Sequence, residues 1–206
     1  MAVMAAVLLC GMVLAAQPGE AGSPPVGAPL VEERRAAVRS APTDPRARME
    51  LGLAYLQAEE YDFAMAELVA AINLNPDNKD NLAAQANYHL GTVLLAIDRA
   101  ALAVNAFREA LRLGWQDAGV HLALGQALTS QGKFDEAIGQ YREALRLAPD
   151  KTQAHAGLGL ALEASGRVDE AVTQYERFLQ SAPATDDHGV AAVKQRLAKL
   201  KERRKM

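Results

Sequence analysis

The residues that first invite a chemical reading are four histidines, one cysteine and the adjacent carboxylates Asp135-Glu136 and Asp169-Glu170. His121 and His155 stand 34 residues apart. A zinc pair on a helix needs two rings one turn apart, so this wider spacing marks equivalent places in a repeat rather than a ligand set. At such a place each ring is expected to sit in a seam and pack against its own unit. His89 and His188 are isolated. Asp135-Glu136 and Asp169-Glu170 each open a predicted helix, where carboxylates favour the positive end of the helix dipole and need no acid–base role. There is no glycine loop that could cradle a phosphate and no nucleophile elbow. Trp115 reads as a packed loop residue. These patterns predict no catalytic site, no metal site and no cofactor.

The elements behind these residues follow from composition. The chain has 206 residues, 50% hydrophobic and 5% aromatic, with a formal net charge of -3. That suits one soluble domain with a sizeable core. Alanine and leucine dominate, which favours helix throughout. The mild acidity gives no reason to expect nucleic acid as a partner. Charge is uneven, because residues 186–206 carry seven Lys/Arg against three Asp/Glu.

Residues 2–16 are uncharged and almost wholly apolar. That run is short of the ~20 residues a membrane span needs. It fits a secretory signal over 1–16, with Leu14-Ala15-Ala16 or Val13-Leu14-Ala15 as the cleavage site, although no Lys or Arg precedes it. Periplasmic or secreted localisation is the expectation. Membrane attachment is the alternative, if 2–16 is retained or Cys10 is lipidated. Leu9 before Cys10 is too large for a lipoprotein signal, and a single cysteine allows no internal disulfide. Residues 17–29, rich in Pro and Gly, read as a linker.

From there the chain repeats itself. KFDEAIGQYREALRLAPD, beginning at Lys133, returns 34 residues later as RVDEAVTQYERFLQSAPA and has two earlier versions. The units are 45–78, 84–117, 118–151 and 152–185. Each has a Leu-Gly pair in a first helix: Leu51-Gly52, Leu90-Gly91, Leu124-Gly125 and Leu158-Gly159. Each has an alanine in a second helix: Ala64, Ala103, Ala137 and Ala171. Then follow Leu68, Phe107, Tyr141 and Tyr175. Prolines at 76, 149 and 183 close three units. A glycine inside a helix costs roughly 1 kcal/mol against alanine. The expected compensation is close approach, with each glycine facing an alanine of the partner helix. A unit of this kind cannot bury its apolar face alone, so neighbours must stack. Residues 30–44 look like a second helix without its first. Residues 186–206 look like a capping helix, with Val190, Val193, Leu197 and Leu200 in one stripe and its basic residues facing water.

This pattern resembles the tetratricopeptide repeat family over roughly residues 45–185. The resemblance implies an all-α fold, a right-handed α-solenoid of helix-turn-helix units with a concave groove. The sequence departs from the family in four places. Arg48, Asn87, His121 and His155 replace the frequent tryptophan, Trp115 stands where a proline closes other units, Phe178 replaces a small alanine, and residues 79–83 are inserted.

The groove of this family is lined mainly by first-helix side chains. By register these include Met49, Leu53 and Leu56; Tyr88, Thr92 and Leu95; Leu122, Gln126 and Thr129; and Gln153, Leu160 and Glu163. The family's chaperone-binding members hold a C-terminal carboxylate with lysines and asparagines. Here the matching positions are Met49, Leu53, His89, Gly119 and Ala123, so that clamp is missing. What remains suits an amphipathic helix or an extended peptide with apolar anchors. The expectation is a non-catalytic scaffold for protein–protein interaction, exported and acting in bacterial envelope assembly. The alternatives are a pilotin-like lipoprotein assisting secretin or pilus assembly and an accessory module of a separate enzyme.

Overall fold

The computed structural model describes residues 28–182 and 187–203. The expected signal at 1–16, most of the expected linker, Cys10 and Pro183 lie outside the described residues. Within them the chain is all helix: α1 (Ala28–Ser40), α2 (Pro45–Gln57), α3 (Tyr61–Asn73), α4 (Leu82–Ala96), α5 (Ala100–Arg112), α6 (Ala118–Ser130), α7 (Phe134–Leu147), α8 (Thr152–Ala164), α9 (Val168–Ser181) and α10 (Asp187–Arg203). Helices α2/α3, α4/α5, α6/α7 and α8/α9 pair most extensively, and each pair packs on the next. Consecutive first helices also touch, α2 with α4, α4 with α6 and α6 with α8, whereas consecutive second helices do not come as close. The stack therefore curves with its first helices on the inside.

Local chemistry sets the helix ends. Asp44 accepts from the Arg46 amide at 2.9 Å and Asp117 from the Gly119 amide at 2.7 Å, capping α2 and α6. The turn inside each unit needs one left-handed residue. Gly132 and Gly166 supply it at φ 72° and 80°, and Glu59 and Asp98 take it at φ 59°. The inserted stretch forms a short turn, Lys79–Asn81, with Asp80 and Asn81 left-handed at φ 53° and 57°, and then opens α4 at Leu82. Asparagines staple it. The Asn75 side chain bonds both the amide and the carbonyl of Lys79 at 3.1 Å, and Asn78 Oδ1 accepts from the Ala84 amide at 3.0 Å.

The alanines Ala64, Ala103, Ala137 and Ala171 are fully buried. The nearest neighbours of the glycines, however, are larger side chains, although a Cβ on Gly52 would also lie 3.3 Å from the Ala64 carbonyl oxygen. A Cβ on Gly91 would lie 2.5 Å from the Phe107 ring, on Gly125 2.8 Å from Tyr141, and on Gly159 2.6 Å from Tyr175, while Gly52 faces Leu68 at 2.9 Å. Each glycine seats the large side chain of its partner helix, and the expectation of glycine against alanine is corrected accordingly. Gly157 adds a second such contact, 2.6 Å from the same Tyr141 ring. That ring is clamped between α6 and α8, which ties the third unit to the fourth.

The ends are covered. Val31 and Val38 of α1 bury against α2, while Leu30 and Ala37, which align with the fully buried Ala137 and Ala144, remain partly open, with no first helix packed on α1 among the described residues. At the other end Val193, Leu197 and Leu200 close the core beneath α9. The basic residues of α10 do not all face water. Arg196 bonds Glu163 at 3.3 Å and Lys201 bonds Glu176 at 2.7 Å.

Candidate functional site: the first-helix groove

The inner face carries side chains from four first helices. Leu53, Leu56, Tyr88, Thr92, Leu95, Leu122, Thr129, Leu160 and Glu163 are half-buried, and Gln126 and Gln153 are exposed. Met49 is buried at 7% and offers a partner little surface. Tyr88 sits at the centre. Its ring meets His89 edge-on at 5.1 Å and tilts on Phe107 at 6.0 Å. Its hydroxyl lies 3.5 Å from where a Gly119 Cβ would stand, so the glycine leaves it room beside the start of α6. Burial, and then the Asp117 carboxylate, push the Tyr88 phenol above its ordinary value. It stays a neutral donor. Burial also lowers His89 below the usual histidine range, so the ring beside Tyr88 is neutral.

A second pattern emerges only from the packed helices. The residue seated on each glycine and the groove residue twelve positions earlier match in polarity. In the first two units the pairs are Leu56 with Leu68 and Leu95 with Phe107, all apolar. In the third, Thr129 Oγ1 donates to the Gly125 carbonyl at 2.8 Å and so accepts from the Tyr141 hydroxyl at 3.2 Å. In the fourth, the Tyr175 hydroxyl donates to Glu163 Oε2 at 2.7 Å, and Arg196 of α10 reaches the same oxygen at 3.3 Å. Burial and the Glu163 charge together push the Tyr175 phenol far above its ordinary value. Two tyrosines thus carry their hydroxyls to the groove floor, Tyr141 beside α6 and α8 and Tyr175 between α8 and α10. The floor is apolar at one end and hydrogen-bonded at the other. The signal lay in the twelve-residue spacing inside each unit. Arg196 carried none, since it belongs to a different element.

The histidines at the seam bond their own second helices. His121 Nδ1 meets Gln140 Oε1 at 2.8 Å and His155 Nδ1 meets Gln174 Oε1 at 2.9 Å. Arg48 makes the equivalent bond to Glu67 at 2.9 Å. Among the described residues no group of three or more His, Cys, Asp or Glu is placed to hold a metal ion, and no helix is long and apolar enough to cross a membrane.

The tetratricopeptide repeat profile matches residues 32–79 and 122–185. The chain belongs to the tetratricopeptide repeat family. Its members are scaffolds for protein–protein interaction built from stacked helix pairs. A crystal structure of MamA is 26% identical, with 73% of this chain and 85% of that one covered and a TM-score of 0.66. YrrB, described as a tetratricopeptide protein with an unusual peptide-binding site, is 21% identical, covers 82% and 87%, and has a TM-score of 0.66. A thermophilic tetratricopeptide protein of Thermus thermophilus, TTC0263, is 22% identical over 82% and 88%, with a TM-score of 0.61. The comparison with curated proteins gives no match.

Proposed function

We propose that this protein is a non-catalytic scaffold that holds a peptide or amphipathic helix of another protein in its first-helix groove. The observation that carries the reading is the groove floor itself. Half-buried leucines run its whole length, Tyr88 stands at its centre, and the Thr129–Tyr141 and Glu163–Tyr175 hydrogen bonds lie in its second half. A surface of this kind offers half-buried apolar side chains, which fits a segment bearing apolar side chains at helical or extended spacing. YrrB, which shares this fold and has a peptide-binding site, supports the same mode. The apolar stretch at residues 2–16 supports export, with the scaffold acting in assembly at the bacterial envelope.

Central, partly apolar positions concentrate binding energy, and tyrosine is enriched among them. Tyr88→Ala with Leu122→Ala is therefore expected to weaken capture of the partner from envelope extracts at least tenfold, with the helical circular dichroism signal retained. A partner captured undiminished by that variant would overturn the groove reading.

A further inference from the structure

The fourth unit shows how this groove holds a carboxylate. Glu163 accepts from the Tyr175 hydroxyl at 2.7 Å and from the Arg196 guanidinium at 3.3 Å. The set is a tyrosine hydroxyl, a carboxylate and a cation, and the chain supplies all three. At the centre of the groove the first two members recur without the third. A point just off Gly119, where its Cβ would stand, lies 2.8 Å from Asp117 Oδ1 and 3.5 Å from the Tyr88 hydroxyl. Asp117 is exposed, and its Oδ1 accepts from the Gly119 amide at 2.7 Å, which leaves Oδ2 for another donor. Among the described residues no cation pairs with Asp117 and no group hydrogen-bonds the Tyr88 hydroxyl. His89, edge-on to Tyr88 at 5.1 Å, is held neutral by burial and brings no positive charge. The surrounding field has the same sign. The chain's excess of Asp and Glu over Lys and Arg lies in residues 1–185, and its basic excess sits on the last helix, packed against α9.

We propose, resting on the groove reading above, that the centre of the groove takes a Lys or Arg side chain of the bound segment, its cation beside the Asp117 carboxylate and the Tyr88 hydroxyl. The partner is then a cationic amphipathic segment, with apolar side chains on Leu95 and Leu122 and a basic residue between them. A cation bonded to a carboxylate makes a stronger contact than a neutral donor does. The Tyr88 ring adds an aromatic face, to which cations are drawn, and the long basic side chain lays its apolar stem along the neighbouring leucines. An acidic segment would meet Asp117 at like charge and is disfavoured. Arg196 on Glu163 is the same chemistry closed within the chain.

The test uses the full chain and a phage-displayed library of random linear peptides. Fluorescence anisotropy then follows one selected peptide that carries a single basic residue. Lys or Arg is expected to be enriched over the unselected library, beside apolar residues. Asp117→Asn should weaken the peptide about tenfold. The fold should persist, because asparagine caps a helix as well as aspartate does. Replacing the peptide's basic residue with norleucine should cost wild type the same factor and cost the Asp117→Asn variant nothing more. A full further loss in that variant would put the cation against another carboxylate and overturn the proposal. Selected peptides without enrichment of Lys or Arg overturn it and leave the groove reading standing. So does binding that Asp117→Asn leaves unchanged but Tyr88→Ala with Leu122→Ala abolishes. Binding that survives both variants, or a library from which nothing is selected, overturns the groove reading and this proposal together.

Discussion

Tyr175 does two jobs from one position. Its ring fills the space that Gly159 leaves, and its hydroxyl donates to Glu163 on the groove side. Glu163 retains only a quarter of its side-chain exposure, and its other partner, Arg196, is the longer contact at 3.3 Å. Tyr175→Phe keeps the packing and deletes the donor. Hydrogen bonds to charged groups contribute about 1.5–3 kcal/mol, and the residual exposure of Glu163 places the expected loss near the lower end. Urea denaturation at neutral pH should show a destabilisation of about 1.5 kcal/mol. No loss would mean that Arg196 and water satisfy Glu163 without the phenol. Tyr141→Phe should cost less, because its acceptor Thr129 is uncharged.

At the level of helices, the informative contact is Tyr141 between Gly125 and Gly157. A methyl group at Gly157 would stand 2.6 Å from the ring, closer than carbon atoms approach, so Gly157→Ala must shift α8 or turn the ring. Overpacking of this kind costs about 1–3 kcal/mol. Combining it with Tyr141→Leu should cost less than the two single changes added, because the smaller side chain frees the space. Simple additivity in thermal unfolding would show that the two helices are not clamped on this ring. Much of this level is legible in the sequence. The 34-residue period, the Leu-Gly pairs and the apolar stripe of α10 all follow from spacing along one helix. What a glycine faces does not, because it depends on which side chain of another helix arrives first. Aligning Gly91, Gly125 and Gly159 shows that something large or close must lie opposite. Only the packed pair shows that it is a ring rather than an alanine. Arg196 is hidden for the same reason. A basic residue on a terminal helix looks solvated until its neighbour is known to present Glu163.

At the scale of the whole molecule, the stack separates its two faces. The inner face runs from apolar to hydrogen-bonded along the first helices. The outer face is tied by ion pairs except where Val69 and Leu102 interrupt them. Curvature follows from the same sequence, since small residues let first helices touch while long charged side chains bridge the second helices at a distance. The central claim is that the inner face does the binding. Hydrogen–deuterium exchange of the captured complex against the free protein tests it most directly. Slowed exchange is predicted in α2, α4, α6 and α8, with α5, α7 and α9 unchanged. Protection confined to the second helices or to α10, with the first helices exchanging as in the free protein, would contradict it.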